Sequence, residues 1–170
     1  MRTSHVTGKV AVVAGATAGV ALFAAPAQAT TGVRADVQWK VDQVIAEHPG
    51  ARQTAPGTVT FADGVVLTIP TASTAGVCAT GAYCFYQDTN YRGRKLTFRD
   101  CANNGLWQYL TDYGFGNKTS SWQNFTKHTV VVYDQNATPP APLWNETPGG
   151  ESVNVGGEDN KADGFQTYCG

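Results

Sequence analysis

Between residues 36 and 50 the apolar side chains recur at the spacing of a helix. In "DVQWKVDQVIAEHPG", Val37, Val41, Val44 and Ile45 fall at i, i+4, i+7 and i+8, which predicts an amphipathic helix with one buried face. Asp36 stands where an N-cap is expected, and Pro49-Gly50 where the helix must stop. The pattern then shortens to alternation: "TVTFADGVVLTI" predicts two short strands turning around Ala62-Asp63-Gly64. "PTASTAG", Pro70 to Gly76, reads as a linker. A helix and a hairpin are too small for a core of their own. The segment therefore either docks on the rest of the chain or is a removable pro-segment, and docking is the favoured reading.

From residue 77 onward the helical period vanishes. The runs "AYCFY", "KLTF", "SSWQNF", "TVVVY" and "GFQTY" are aromatic and β-branched, and Gly, Asn, Asp and Pro clusters separate them. This is the pattern of a compact all-β domain. "ANNGLWQYLTDYG", Ala102 to Gly114, is the one long connection, with room for a single helical turn; "TPPAPLWNETPGG", Thr138 to Gly150, is a second irregular stretch.

Self-similarity refines the picture. "CFYQD" echoes "VVYDQ", aligning Tyr86 with Tyr133, and "NKTSSW" echoes "NKADGF", aligning Asn117 with Asn160. Two echoes in the same order imply a duplicated unit of about 45 residues. Each copy holds about four short strands, too few to bury both faces, so the two pair into a sandwich with a shared core.

The first copy carries Tyr86, Tyr91 and Gly93 within "YQDTNYRG". This spacing resembles the signature of βγ-crystallin Greek-key motifs, in which an aromatic pair packs across a folded hairpin and the glycine takes a positive φ. "NKTSS" resembles the later part of that motif, where a serine hydroxyl caps the hairpin. The longer stretch from Cys78 to Asn124, with its cysteine pair, its Tyr/Tyr/Gly signature and "DYGF" followed by "NKTSSW", is similar to the secreted bacterial metalloproteinase-inhibitor family of Streptomyces type. The resemblance implies an all-β, βγ-crystallin-like sandwich of two Greek-key motifs over 75–170, preceded by the helix and hairpin of 30–74. It also implies a secreted peptidase inhibitor that needs no cofactor and blocks a secreted protease, a metalloprotease first of all, by rigid-loop occlusion. The alternative is a non-inhibitory extracellular binding or structural module, stabilised by calcium or by disulfides alone. The family's reactive bond follows a cysteine and precedes valine. Here Cys78, Cys84, Cys101 and Cys169 are followed by Ala, Phe, Ala and Gly, so no reactive bond carries over. The irregular loops 102–114 and 136–150, around Trp107 and Trp144, are the candidate inhibitory surfaces.

The amino-terminal 29 residues have the form of a secretory leader. Arg2 and Lys9 precede an uncharged apolar stretch from Val10 to Ala24, and Ala27-Gln28-Ala29 offers a cleavage site. The apolar stretch is shorter than the roughly 20 residues a membrane-spanning helix needs. Across the chain 12 Lys and Arg stand against 13 Asp and Glu, and removing Arg2 and Lys9 makes the remainder more acidic. There is no basic stripe, which argues against nucleic acid or an anionic membrane as partner; the expected state is an extracellular monomer.

All four cysteines follow the leader, and an even count in an oxidising compartment reads as two disulfides. Three pairings are open to four cysteines. Cys78 and Cys84 flank "ATGAY", where Gly81 permits a tight reversal, which favours Cys78–Cys84 with Cys101–Cys169. Zinc is a poor alternative, since no C-x₂-C spacing occurs and only His48 and His128 lie beyond the leader.

Calcium is the sharper metal candidate, because two Greek-key corners can share the six to eight oxygens it needs. The candidate ligands are Asn117 and Ser120 in the first copy and Asp159, Asn160 and Asp163 in the second. Both copies depart from the family's calcium pattern: Gly116 replaces an oxygen-bearing side chain in one, and Gly164 the capping serine in the other. A metal-free, hydrogen-bonded β-corner is therefore the favoured reading and a weak calcium site the alternative. Asn117, Asn124, Asn136 and Asn145 all begin Asn-x-Thr triplets, which we read as turn and strand chemistry rather than as glycosylation. No nucleophile elbow, His-Glu-x-x-His or catalytic cysteine occurs, so no enzyme is expected.

Overall fold

A computed structural model describes residues 34–71, 76–99, 101 and 105–169, all within one compact unit. The leader lies outside the described residues, as does most of the 70–76 linker. Helix α1 (Ala35–Glu47) buries Val37, Val41 and Val44, with Ile45 partly buried beside them, as the periodicity predicts. Burial of each such valine contributes on the order of 1.5–3 kcal/mol. The N-cap is Arg34, not Asp36. Asp36 sits in the first turn, where its carboxylate faces the positive helix end and pairs with Arg34 at 3.2 Å. At the other end His48 caps the helix, its Nδ1 lying 2.8 Å from the Val44 carbonyl.

Three strands follow: β1 (Arg52–Ala55), β2 (Thr58–Thr60) and β3 (Val66–Thr68). The hairpin of β2 and β3 is the one expected, whereas β1, exposed along its whole length and polar, has no apolar alternation to betray it. β3 hydrogen-bonds to β5 (Arg92–Phe98), with Leu67 opposite Leu96, so the amino-terminal segment extends the main sheet.

The remaining strands are β4 (Tyr83–Asp88), β6 (Trp107–Tyr109), β7 (Ser121–Asn124), β8 (Thr129–Asp134), β9 (Ala141–Glu146), β10 (Glu151–Ser152) and β11 (Gly164–Tyr168). They form two sheets, in the orders β1-β2-β3-β5-β4-β7-β10 and β6-β11-β8-β9. Strands β4 to β7 form the first copy and β8 to β11 the second, and the copies exchange their third strands. β6 of the first joins the second copy's sheet, and β10 of the second joins the first's. Neither unit is complete without the other. The duplication is visible in register: Tyr86 pairs with Ser121 across β4 and β7, and Tyr133 with Gly164 across β8 and β11.

The two irregular stretches hold more structure than their composition suggests. In 102–114 a strand, β6, leads into a 3₁₀ turn, Leu110–Tyr113. In 136–150, Pro139 and Pro140 precede β9 and Pro142 lies within it, at a register shift on an edge strand, where a proline is tolerated. Between the sheets lies an aromatic core. Tyr83 stacks on Phe98 at 5.2 Å, and Phe165 from the second copy meets Phe98 edge-on at 4.9 Å.

Candidate functional site

The corner "NKTSS" does in space what its sequence implies. Ser120 Oγ donates to the Gln87 carbonyl at 2.8 Å, and Ser121 Oγ donates to the Asp88 carbonyl at 2.7 Å while accepting from the Tyr91 N–H at 3.1 Å. These bonds fold the β4–β5 hairpin back over the sheet. The Tyr86 and Tyr91 rings then pack at 5.4 Å, and Gly93 takes φ +70° with Asp88 against it; a Cβ there would lie 2.6 Å from Asp88 Oδ2.

In the second copy Asp163 occupies the place of Ser120: its N–H reaches the Tyr133 carbonyl at 3.1 Å, as that of Ser120 reaches the Tyr86 carbonyl at 2.9 Å. The two corners clasp each other. The Asn117 N–H bonds to the Ala162 carbonyl at 2.8 Å, and the Asn160 N–H to the Thr119 carbonyl at 3.2 Å. Of the candidate calcium ligands, Asp163 and Ser120 are buried and hydrogen-bonded, and Asn117, Asp159 and Asn160 are exposed. Asp163 Oδ2 accepts from Asn136 Nδ2 at 2.6 Å, and the backbone N–H groups of Gln135 and Asn117 also face its carboxylate. Its pKa is nevertheless raised, by burial first and by neighbouring Asp134 second. Gly116 is sterically required, since a Cβ there would lie 2.5 Å from Thr111 Cγ2.

The four cysteines pair as Cys78–Cys84 and Cys101–Cys169. The first bridge belongs to a small satellite core with Ala82 and Tyr86. Behind it Gln123 Oε1 accepts from Tyr86 Oη at 2.6 Å and from the Cys78 N–H at 2.8 Å. Burial, more than the nearby Tyr91, raises the Tyr86 pKa.

The second bridge ties the carboxyl-terminal strand to the segment entering β6. That segment is held twice more through Gly105, whose N–H donates to the Thr167 carbonyl at 2.9 Å and whose carbonyl accepts from Gln166 Nε2 at 2.7 Å. Leu106 follows with 56% of its surface exposed. Trp107, Tyr109, Tyr133 and Tyr168 share the outward parity of this sheet, opposite to buried Phe165, Val132 and Val130. Trp107 meets Tyr133 edge-on at 4.7 Å and stacks loosely on Tyr109 at 6.4 Å. Among the described residues β6 is an edge strand of this sheet, paired with β11.

The two tryptophans singled out as loop residues thus have different settings. Trp107 belongs to this exposed edge. Trp144 lies on β9 rather than in a loop; it packs half-buried against the core and donates from Nε1 to Glu146 Oε1 at 3.2 Å. Glu146 itself, a fully buried carboxyl with its pKa raised well above 4.5 by desolvation, gives no signal in the sequence, where it reads as one more polar loop residue. Trp39, on α1, is the most exposed of the tryptophans, with 63% of its surface free.

Comparison with known proteins bears on this geometry. The family model for peptidase inhibitor family I36 matches residues 71–138, the segment that holds the first Greek-key unit and the start of the second. No curated protein matches the chain by sequence. Among solved structures, one described under the evolution of the eye lens βγ-crystallin domain fold is 9% identical, with a TM-score of 0.46, covering 63% of this chain and 99% of its own. A βγ-crystallin domain from Clostridium beijerinckii is 21% identical, with a TM-score of 0.41, covering 51% and 97%. The strand order of the two sheets, in which each four-stranded copy lends its third strand to the other, is that of a sandwich of two Greek keys, the architecture expected from the sequence. Among the described residues no helix is long and apolar enough to cross a membrane.

Proposed function

From a chain whose residues 71–138 match the model of peptidase inhibitor family I36, we propose a secreted, monomeric inhibitor that blocks a metalloprotease with the edge formed by Gly105, Leu106 and β6. The observation that carries this reading is Leu106: a large apolar side chain, more than half exposed, directly after a backbone pinned at Gly105 and bridged at Cys101. A segment ordered before binding loses little entropy on entering a cleft, and it resists the distortion that cleavage needs. Strand β6 also presents an unpaired edge, to which an extended protease subsite can add by main-chain hydrogen bonds. Trp107 and Tyr109 then supply the rim. The family is one of peptidase inhibitors, so the role is to bind a protease and not to catalyse.

Calcium has no part in this reading. At Asp163 the carboxylate meets N–H donors from Asn136, Gln135 and Asn117, a set suited to an anion and opposed to a cation beside it. The hydrogen bonds of Ser120 and Asp163 support a metal-free corner.

The test is titration of the secreted protein against a thermolysin-like metalloprotease and a subtilisin-like serine protease. Inhibition confined to the metalloprotease, weakened at least tenfold by Leu106→Asp and by the double replacement Cys101→Ser/Cys169→Ser, is the expected result. Absence of inhibition of both proteases at micromolar protein overturns the reading. Inhibition untouched by Leu106→Asp places the contact elsewhere.

A further inference from the structure

A second surface, apart from the β6 edge, has the chemistry of a ligand site. Helix α1 and the folded hairpin of the first copy enclose a cleft of about 470 Å³, within the size range of small-molecule and short-peptide sites. Its polar wall holds three cations, Lys40, Arg94 and Lys118, against a single acid, Glu47. Its apolar wall includes Val44, Ile69 and the indole of Trp39.

The cations are not spent on partners. Among the described residues the ion pairs are Arg34–Asp36 and Lys161–Glu158, neither of which touches this cleft. Arg94 is instead held by neutral groups. Its Nε donates to Gln87 Oε1 at 2.8 Å, one Nη donates to the Gly114 carbonyl at 3.4 Å, and the guanidinium lies 5.4 Å from the centre of the Phe115 ring. Lys118 Nζ reaches the Gly116 carbonyl at 3.4 Å, on the same turn. The fork is thus oriented before any anion arrives, and burial, opposed in part by the Asp88 carboxylate, lowers the Arg94 pKa and weakens its hydration. Glu47 is occupied within α1, accepting from Gln43 Nε2 at 3.2 Å.

We propose that this cleft binds an acidic peptide, with a Glu or Asp carboxylate seated on Arg94 between Lys40 and Lys118 and an adjacent apolar side chain against Trp39. Charge complementarity selects the carboxylate, since the cleft concentrates positive charge on a chain whose formal net charge is −1. Planarity favours it too, because a guanidinium fork matches a carboxylate bidentately. The apolar half of the wall selects a peptide over a bare inorganic anion, which would leave it unfilled.

The experiment titrates N-acetyl-Glu-Leu-amide into the secreted protein, with N-acetyl-Gln-Leu-amide as neutral control, and follows backbone amide and indole resonances. Saturable shifts at Gln87, Arg94, Gly114 and the Trp39 indole are expected. The Gln peptide, and separately the Arg94→Gln variant, should weaken binding by roughly ten- to a hundredfold, the range of one charge-assisted hydrogen bond. Lys40→Gln, an exposed position on α1, should weaken it with no change in melting temperature, and so serves if Arg94→Gln unfolds the protein. Absence of saturable shifts overturns the proposal, as does equal affinity for the two peptides or the same shifts with inorganic phosphate alone.

Discussion

Asn117 and Asn160 adopt the same left-handed backbone conformation, φ 53° and 57°, at equivalent points of the two copies. Each donates its N–H across the interface to the other copy's corner. Asn tolerates this region better than other side chains, because a short polar group hydrogen-bonds locally and the strain on a Cβ is partly offset. Replacing either by Ala should cost about 1 kcal/mol, while replacement by Gly should be close to neutral. Denaturant midpoints of the four single variants check this. A cost at Ala as small as at Gly would show that the corner is not held by its backbone conformation.

Ser121 is fully buried and serves two backbone groups of the folded hairpin, the Asp88 carbonyl and the Tyr91 N–H. Ser121→Ala leaves both without their partner, so a loss of about 1–3 kcal/mol is expected. The change should loosen the packing of Tyr91 on Tyr86 and reduce the near-ultraviolet circular dichroism. Ser120→Ala, which removes one bond to the Gln87 carbonyl, should cost less.

Glu146 predicts a pH dependence. Its pKa is raised by burial, with the Trp144 hydrogen bond only partly opposing that rise, so the folded state holds the proton more tightly than the unfolded chain. The stability this contributes is fully present below the ordinary value of 4.5 and is lost as pH rises through the higher folded value. Melting temperature should therefore fall on moving upward from pH 4.5. Glu146→Gln, which keeps the shape and removes the titration, should flatten that fall. An unchanged slope in the variant would assign the dependence to other groups.

Removing residues through Thr71 tests whether the amino-terminal segment is structural. β3 covers the edge of β5, and Phe61 packs edge-on against Tyr113 at 5.0 Å. The truncated chain should expose that edge and that ring, melt at lower temperature and self-associate. A truncated form that melts as the whole protein does, and stays monomeric, would make the segment dispensable.

The calcium reading has its own measurement. Melting temperatures in millimolar calcium and in chelator should agree, because N–H donors already fill the space around the Asp163 carboxylate.

What was legible in the chain was local. A helix period is written in Val37, Val41 and Val44, a hairpin in Ala62-Asp63-Gly64, and a folded corner in Tyr86, Tyr91, Gly93 and Ser121, because each depends on residues close in sequence. The duplication was legible as well, since equivalent backbone conformations need equivalent residues: Asn117 and Asn160 carry the same φ in both copies. The exchange of β6 and β10 was not legible. A three-residue and a two-residue strand have no periodicity to read, and their partners are chosen by the sheet that has an open edge when the copies meet. The same holds for Glu146, fully buried by long-range packing, and for the cleft at Arg94, whose walls join α1 to residues about 40 to 80 positions further along the chain. Spacing determined the helix, the hairpin and the folded corner, and the order of these motifs carried the resemblance to an inhibitor family whose model matches residues 71–138. Only tertiary packing decided which side chains remained exposed at Leu106 and which charges were left without partners, because both are set by what long-range contacts cover.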